Sequence, residues 1–181
     1  MRVALLGLST LLVTACGSDA GGDSGDAPCD EGPAKVTAGV GEFDFDLPTS
    51  GGSVNMVHGP QGGWHLDTAA LISGTGDVVQ IVPTLVLTSD GTSIAGLEQI
   101  PETVALGSYD AEACEGKIVS IRAYLDDVQQ PAPYSDFICS LDGKEVELTL
   151  TVTDVVTGDS GSGSTTFILK TDPADATLCG L

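Results

Sequence analysis

Glu145–Asp154 reads EVELTLTVTD, and no other stretch of the chain has so plain a period. Val146, Leu148, Leu150 and Val152 alternate with Glu147, Thr149, Thr151 and Thr153. Successive strand side chains point to opposite faces, so this is a half-buried strand with one apolar and one wet side. KIVSIRAYLD at 117–126 repeats the pattern, with Val119, Ile121, Ala123 and Leu125 on one side and Ser120, Arg122 and Tyr124 on the other. DVVQIVPTLVLTS at 77–89 is a longer strand-like run interrupted by Pro83, which calls for an edge position, a bulge or two shorter strands. GEFDFDL at 41–47 reads as a first strand with Phe43 and Phe45 facing alike, and TTFILK at 165–170 as a last one. GSVNMVH at 52–58 and WHLDTAALIS at 64–73 supply two more.

The pieces between are turn-rich: TSGG at 49–52, SGTGD at 73–77, SDGT at 89–92, LDGK at 141–144 and TGDSGSGS at 157–164. No segment holds a 3.6-residue apolar period, although short helical turns fit near 108–114 or 133–139. Seven or eight short strands joined by such turns predict an all-β fold, an antiparallel β-sandwich of immunoglobulin-like architecture over residues 35–181, with a small barrel or jelly roll as the competitor.

The N-terminus is a separate matter. MRVALLGLSTLLVTA (1–15) has a cation at Arg2, an apolar run and small residues at its end, the pattern of an export signal and too short for a membrane span. Leu12-Val13-Thr14-Ala15-Cys16 resembles the lipobox of bacterial lipoproteins. That resemblance implies a diacylglyceryl group on the Cys16 thiol, cleavage before it, and attachment to a lipid bilayer through acyl chains. In such lipoproteins an Asp after the cysteine disfavours transport to the outer membrane; Gly17 stands there, so the resemblance implies the outer membrane, facing either periplasm or cell surface. GSDAGGDSGDAPCDEGPAK, beginning at Gly17, has almost nothing to bury, and residues 16–34 read as a flexible acidic spacer.

The formal net charge is −20, and removing residues 1–15 takes away one cation and no acid. A nucleic-acid partner is excluded by repulsion from the phosphates, as is charge-driven attachment to anionic lipid. Apart from Cys16 there are four cysteines, Cys29, Cys114, Cys139 and Cys179. In an exported chain these make two disulfides with three connectivities; Cys114–Cys139 around one strand and Cys29–Cys179 from start to end is the favoured pairing. Their spacing is too wide for structural zinc.

No complete catalytic or cofactor motif is present. GSGS at 161–164 lacks the strand–turn–helix setting of a nucleophile elbow, and nothing positions a Ser–His–Asp relay on His58 or His65. Asp154, Asp159, Asp172 and Asp175 are candidate calcium ligands, but solvated turns and an Asp-Pro break account for them more cheaply. Tyr124 and Tyr134 are candidate contacts for a glycan or protein partner, with ordinary sheet or loop packing as the default.

The stretch that stands out is HGPQGGWH at 58–65, which holds both histidines. If His58 pairs with His65 across a hairpin, His58, His65 and Asp67 share a face and resemble a two-His, one-carboxylate site for copper or zinc. Directly opposed Cβ atoms start about 4.5–5.5 Å apart, so only particular rotamers would converge. The competing reading has Pro60 and the glycines shaping a loop, Trp64 covering the end of the core and the imidazoles satisfying stray backbone groups, with His58, Gln61, Trp64, His65 and Asp67 as a candidate ligand loop. With the lipobox and spacer, VHGPQGGWH is similar to immunoglobulin-like lipoproteins of myxobacteria and related deltaproteobacteria, a set that brings no activity with it. The sequence therefore predicts a membrane-anchored, exported, non-catalytic binding or scaffolding module without cofactor, with metal binding, and behind it hydrolysis, as alternatives.

Overall fold

The computed structural model describes Cys29 and residues 33–60, 63–95, 101–125 and 134–181. Cys16, Gln61, the signal, most of the spacer and the side chain of Tyr134 lie outside the described residues. The chain is built mostly of strands: β1 Lys35–Val40, β2 Ser53–His58, β3 Trp64–Ser73, β4 Val78–Leu87, β5 Glu102–Ala105, β6 Gly107–Asp110, β7 Glu115–Leu125, β8 Glu145–Asp154 and β9 Ser160–Thr171. A short helix, α1 (Tyr134–Ser140), precedes β8, and a 3-10 turn at Pro173–Asp175 follows β9.

The nine strands run in the order β5-β4-β8-β9-β2-β3-β7-β6, with β1 paired to β3 off this path. Two expectations are corrected here, since the described residues contain nine strands rather than seven or eight, and the sheet is mixed. Ser53–Met56 of β2 pair in parallel with Ile168–Thr171 of β9, after which Val57 and His58 pair antiparallel with His65 and Trp64 of β3. One strand thus joins two halves of the sheet.

Both halves turn their apolar residues toward one core. Val146, Leu148, Leu150 and Val152 of β8 are all fully buried, as the alternation requires. They meet Val79, Ile81 and Leu85 of β4 and Phe167 and Leu169 of β9, while Leu66, Ile72, Ile121, Ala123 and Leu125 close the core from β3 and β7. In β7 the alternation resets: Thr68 pairs with Ile121 and Ala70 with Ile118, a bulge that puts Ile118 in the core in place of Val119. Ser120 takes the strained conformation (φ 59°) and donates its N–H to Gly41 O, and Thr68 Oγ1 donates to the Ile121 carbonyl at 2.8 Å.

Pro83 lies within one continuous β4. Thr88 N–H bonds to Glu145 O of β8, whereas the Leu87 N–H points to the opposite edge. By alternation the Pro83 nitrogen also faces that edge, past the last β4–β5 pair at Ile81–Glu102, so no ladder bond is lost.

Two segments depart from the pattern read in sequence. Residues 41–47 are not a strand: Val40 and Asp46 exchange backbone hydrogen bonds, the chain folds back, and Phe45 covers Gly39 while Phe43 is 84% exposed. The first strand is instead β1. Ser160–Ser164, expected in a loop, form the first half of β9, paired with β8 from Thr153–Ser160 to Thr149–Ser164. A Cβ on Gly161 would fall 1.7 Å from Ala34 O and one on Gly163 2.1 Å from Val36 O, so the Gly-Ser repeat is a strand whose inner face must be bare where β1 crosses it. Its outer face bonds to β8 through Thr149–Ser164, Thr151–Ser162 and Thr153–Ser160 hydroxyl pairs at 2.8, 3.0 and 2.8 Å.

The four cysteines do form two disulfides, joined otherwise than favoured: Cys29–Cys114 and Cys139–Cys179, each with Cα atoms 5.2 Å apart. Cys114 precedes β7 and α1 follows it. Eleven extended residues span roughly 35 Å, whereas a disulfide needs Cα atoms within about 7 Å. The turn after α1 instead bonds to the end of β9, through Gly143 N–H to Leu169 O and Thr171 N–H to Asp142 Oδ1, which brings Cys139 to the C-terminal segment. Two such bonds fit an oxidising, exported environment.

Gly163→Val should lower the free energy of unfolding by about 2 kcal/mol or more, because the β1 backbone cannot retreat. Ser162→Ala, on the outer face, should stay within about 0.5–1 kcal/mol of the parent. Urea unfolding of both variants checks the pair.

Candidate functional site

The HGPQGGWH hairpin closes one residue tighter than the sequence suggests. His58 pairs with Trp64 and Val57 with His65, and Gly59 N–H bonds to Gly63 O across the loop. A one-residue shift sends every side chain of one strand to the other face. His58 therefore lies with Trp64, and His65 with Asp67 on the opposite side. The set His58, His65, Asp67 is not brought together, and among the described residues no group of three metal-ligating side chains is gathered elsewhere.

Each histidine instead has a carboxylate. On one face the His58 ring stacks on the Trp64 indole, centroids 4.0 Å apart and planes 14° from parallel. Asp175, from the 3-10 turn after β9, takes both: His58 Nδ1 lies 3.0 Å from Oδ1 and Trp64 Nε1 donates to Oδ2 at 3.0 Å. Trp64 and Asp175 are buried and His58 is partly open. The turn carrying Asp175 starts with Asp172 accepting from Ala174 N–H and with Pro173 in the first helical position, and it is tied down by the Cys139–Cys179 bond. Asp175 was legible only as a surplus acid near the C-terminus. The DPAD stretch signals a helical start, but nothing in sequence directs it to a hairpin more than a hundred residues away.

On the other face His65 is buried, its Nε2 3.5 Å from Asp67 Oδ1, with Tyr124 opposite it and Arg122 opposite Asp67. Burial pushes the His65 imidazole below its ordinary value of 6.5; Asp67 pulls against this and Arg122 adds to it. Tyr124 is half exposed, as the sequence expects of the wet face.

Further along the same outer surface, β1, β3, β6 and β7 shape a shallow trough of about 430 Å³. Leu71, 42% exposed, forms its floor, with Lys35, Thr37, Ser108 and Lys117 around it. Lys117 is engaged by Asp44 at 2.7 Å. The trough sets Lys35, Lys117, Asp110 and Glu115 with hydroxyl groups about Leu71, and the sequence did not single it out, because its residues come from four strands.

Among the described residues, the aspartates read as turn formers or calcium ligands do not gather into a group that could hold a metal ion. Asp154 is buried at the end of β8, where Oδ1 accepts from Val156 and Thr157 N–H and Oδ2 from Gly76 N–H at 2.7 Å. Burial opposes its ionisation, yet the N–H groups of Thr157, Gly76 and Val156 together hold the carboxyl below its ordinary value. No serine hydroxyl bonds to either imidazole among the described residues, and Ser162 and Ser164 face outward from β9.

No family model and no curated protein matches the chain. Among solved structures it is similar to the CooA pilin subunit from enterotoxigenic Escherichia coli, at 13% identity and a TM-score of 0.34, covering 76% of this chain and 99% of that one. A likeness of that depth assigns neither fold family nor activity.

Trp64→Ala should cost about 3–5 kcal/mol of stability, and Asp175→Ala about 1–3 kcal/mol by removing the carboxylate that His58 and the indole N–H share. The two losses should fall short of additive in a double-mutant cycle read by chemical denaturation. The pH dependence has a definite sign. Because the folded His65 is harder to protonate than the unfolded one, its contribution is complete above pH 6.5 and drains away as the pH falls through its folded pKa. The melting temperature of the parent should therefore drop more between pH 7.5 and 5 than that of His65→Gln.

Proposed function

We propose that the protein is an exported lipoprotein, held on a membrane by acyl chains on Cys16, that acts as a non-catalytic binding or scaffolding module. The observation that carries this reading is the disulfide pair taken with the lipobox. The bonds belong to an oxidising compartment, and the Cys29–Cys114 bond takes hold of the sheet a short way after Cys16. Residues 16–34 act as the spacer between lipid and sheet. Each buried CH₂ of the acyl chains adds about 0.8 kcal/mol, so several chains hold without a spanning helix. Among the described residues no helix is long and apolar enough to cross a membrane. Gly17 in place of Asp favours the outer membrane, and the similarity of VHGPQGGWH to deltaproteobacterial lipoproteins agrees with that address.

The β part is read as a sandwich of immunoglobulin-like kind. In support, β2 leaves one half of the sheet for the other, which is how packed sheets turn a corner, and the inner faces of both halves share one core. We place the binding surface on the exposed sheet faces.

After washing at high pH and high salt the wild-type protein should stay in the membrane fraction, and Cys16→Ala should appear in the soluble fraction. Retention of Cys16→Ala like wild type would remove the lipid anchor from the proposal.

A further inference from the structure

The outer face of β4, β8 and β9 is a lattice of hydroxyls. Register places Thr149 against Ser164, Thr151 against Ser162 and Thr153 against Ser160, and Thr84 of β4 continues the first of these rows. Strands lie about 4.8 Å apart and alternate residues about 6.7 Å along each strand, so the oxygens repeat on the scale of a sugar ring. Each Thr–Ser pair spends one O–H on its internal bond and keeps the other O–H and its remaining lone pairs for a partner. Packing explains the inner glycines of the Gly-Ser repeat, and the outer serines pair with the β8 threonines while leaving hydroxyl capacity at the surface.

The three hydroxyl rows themselves carry no charge, while Glu145 and Glu147 of β8 and Lys170 of β9 lie beyond them on the same face. In a chain with 26 acids, the three hydroxyl rows carry none; the neighbours in β4 are Gln80, Val82 and Thr84, and the first acid is Glu147 in the next row. There a shallow, open cleft of about 350 Å³ adjoins the lattice, lined by Leu47, Pro48, Ser50, Glu147, Ser164 and Thr166.

We infer that this face binds a neutral, extended polysaccharide, one sugar seated in the cleft and the chain laid along the Thr–Ser rows. The inference deepens the binding-module reading and rests on it. An anionic polymer would meet Glu147 and the net charge of −20 without a cation in the rows. A protein partner ordinarily needs aromatic or arginine anchors, and the rows hold neither. Ice would be matched by rows of threonine with their methyl groups, whereas β9 contributes serine to all three rows. A sugar takes hydrogen bonds from the hydroxyls and rests its C–H face on Val82.

The test is co-sedimentation of the full chain with microcrystalline cellulose, with chitin and with an insoluble neutral β-glucan. Wild type should be retained by at least one. Thr151→Glu with Ser162→Glu should weaken retention about tenfold or more, a loss of about 1.4 kcal/mol. Thr151→Val with Ser162→Ala, which removes hydroxyls and adds no charge, should also lose retention, while Leu71→Glu in the trough should keep it; melting temperatures identify any variant that has failed to fold. Retention by none of the three solids, or retention that survives both double substitutions, overturns the inference. So does preference for alginate, or inhibition of ice recrystallisation in place of glycan retention. Membrane fractionation of the same variants is read separately, and anchoring that persists while glycan binding is absent defeats this inference alone.

Discussion

The carbonyl oxygens of Ala34 and Val36 occupy the space where side chains on Gly161 and Gly163 would begin. That approach of one backbone to another sets the rest of the structure. With β1 pressed on the inner side of β9 and paired along its whole length with β3, the two halves of the sheet are brought together around the β8 side chains. β2 need only cross from β9 to β3 to complete the connection. Any side chain at Gly163 would push β1 away from the strand and open the core at its edge.

Buried polar groups sit where this arrangement leaves strand ends and irregularities. Thr68 serves the carbonyl at the β7 bulge, Asp154 closes the turn into β9 with three backbone N–H groups, and Asp175 joins the hairpin to the C-terminal segment. Each of these three is paired, whereas the buried Thr75 Oγ1 has no hydrogen-bond partner among the described residues. The disulfides fasten the same margins, one beside the start of β7 and one between α1 and the C-terminal turn. Strand margins are where fraying would otherwise begin.

The hairpin shows how little separates a metal-like set from a structural one. With His58 opposite His65, two imidazoles and a carboxylate would share a face. With His58 opposite Trp64, the histidines part and each takes an aspartate of its own. The glycine-rich loop accommodates either length, so the outcome belongs to the strands and to Asp175, whose carboxylate satisfies His58 and the indole together.

What the sequence determined by itself is the identity of most strands and which side of each is wet. Period-two alternation makes that a local property, and it holds for Val146–Val152; Ser53–His58 and Trp64–Ser73 were legible as strands, though residues on both faces of the second are buried. The number of disulfides was legible too, from four cysteines in a chain read as exported. Tertiary structure alone decided that the Gly-Ser repeat is a strand, because a glycine gains its meaning from the backbone lying on it. It also decided the parallel β2–β9 pair, the partners of the cysteines and the face of each histidine. These are relations between residues tens to more than a hundred positions apart, fixed by pairing register and close approach, and neither quantity has a local signature in the chain.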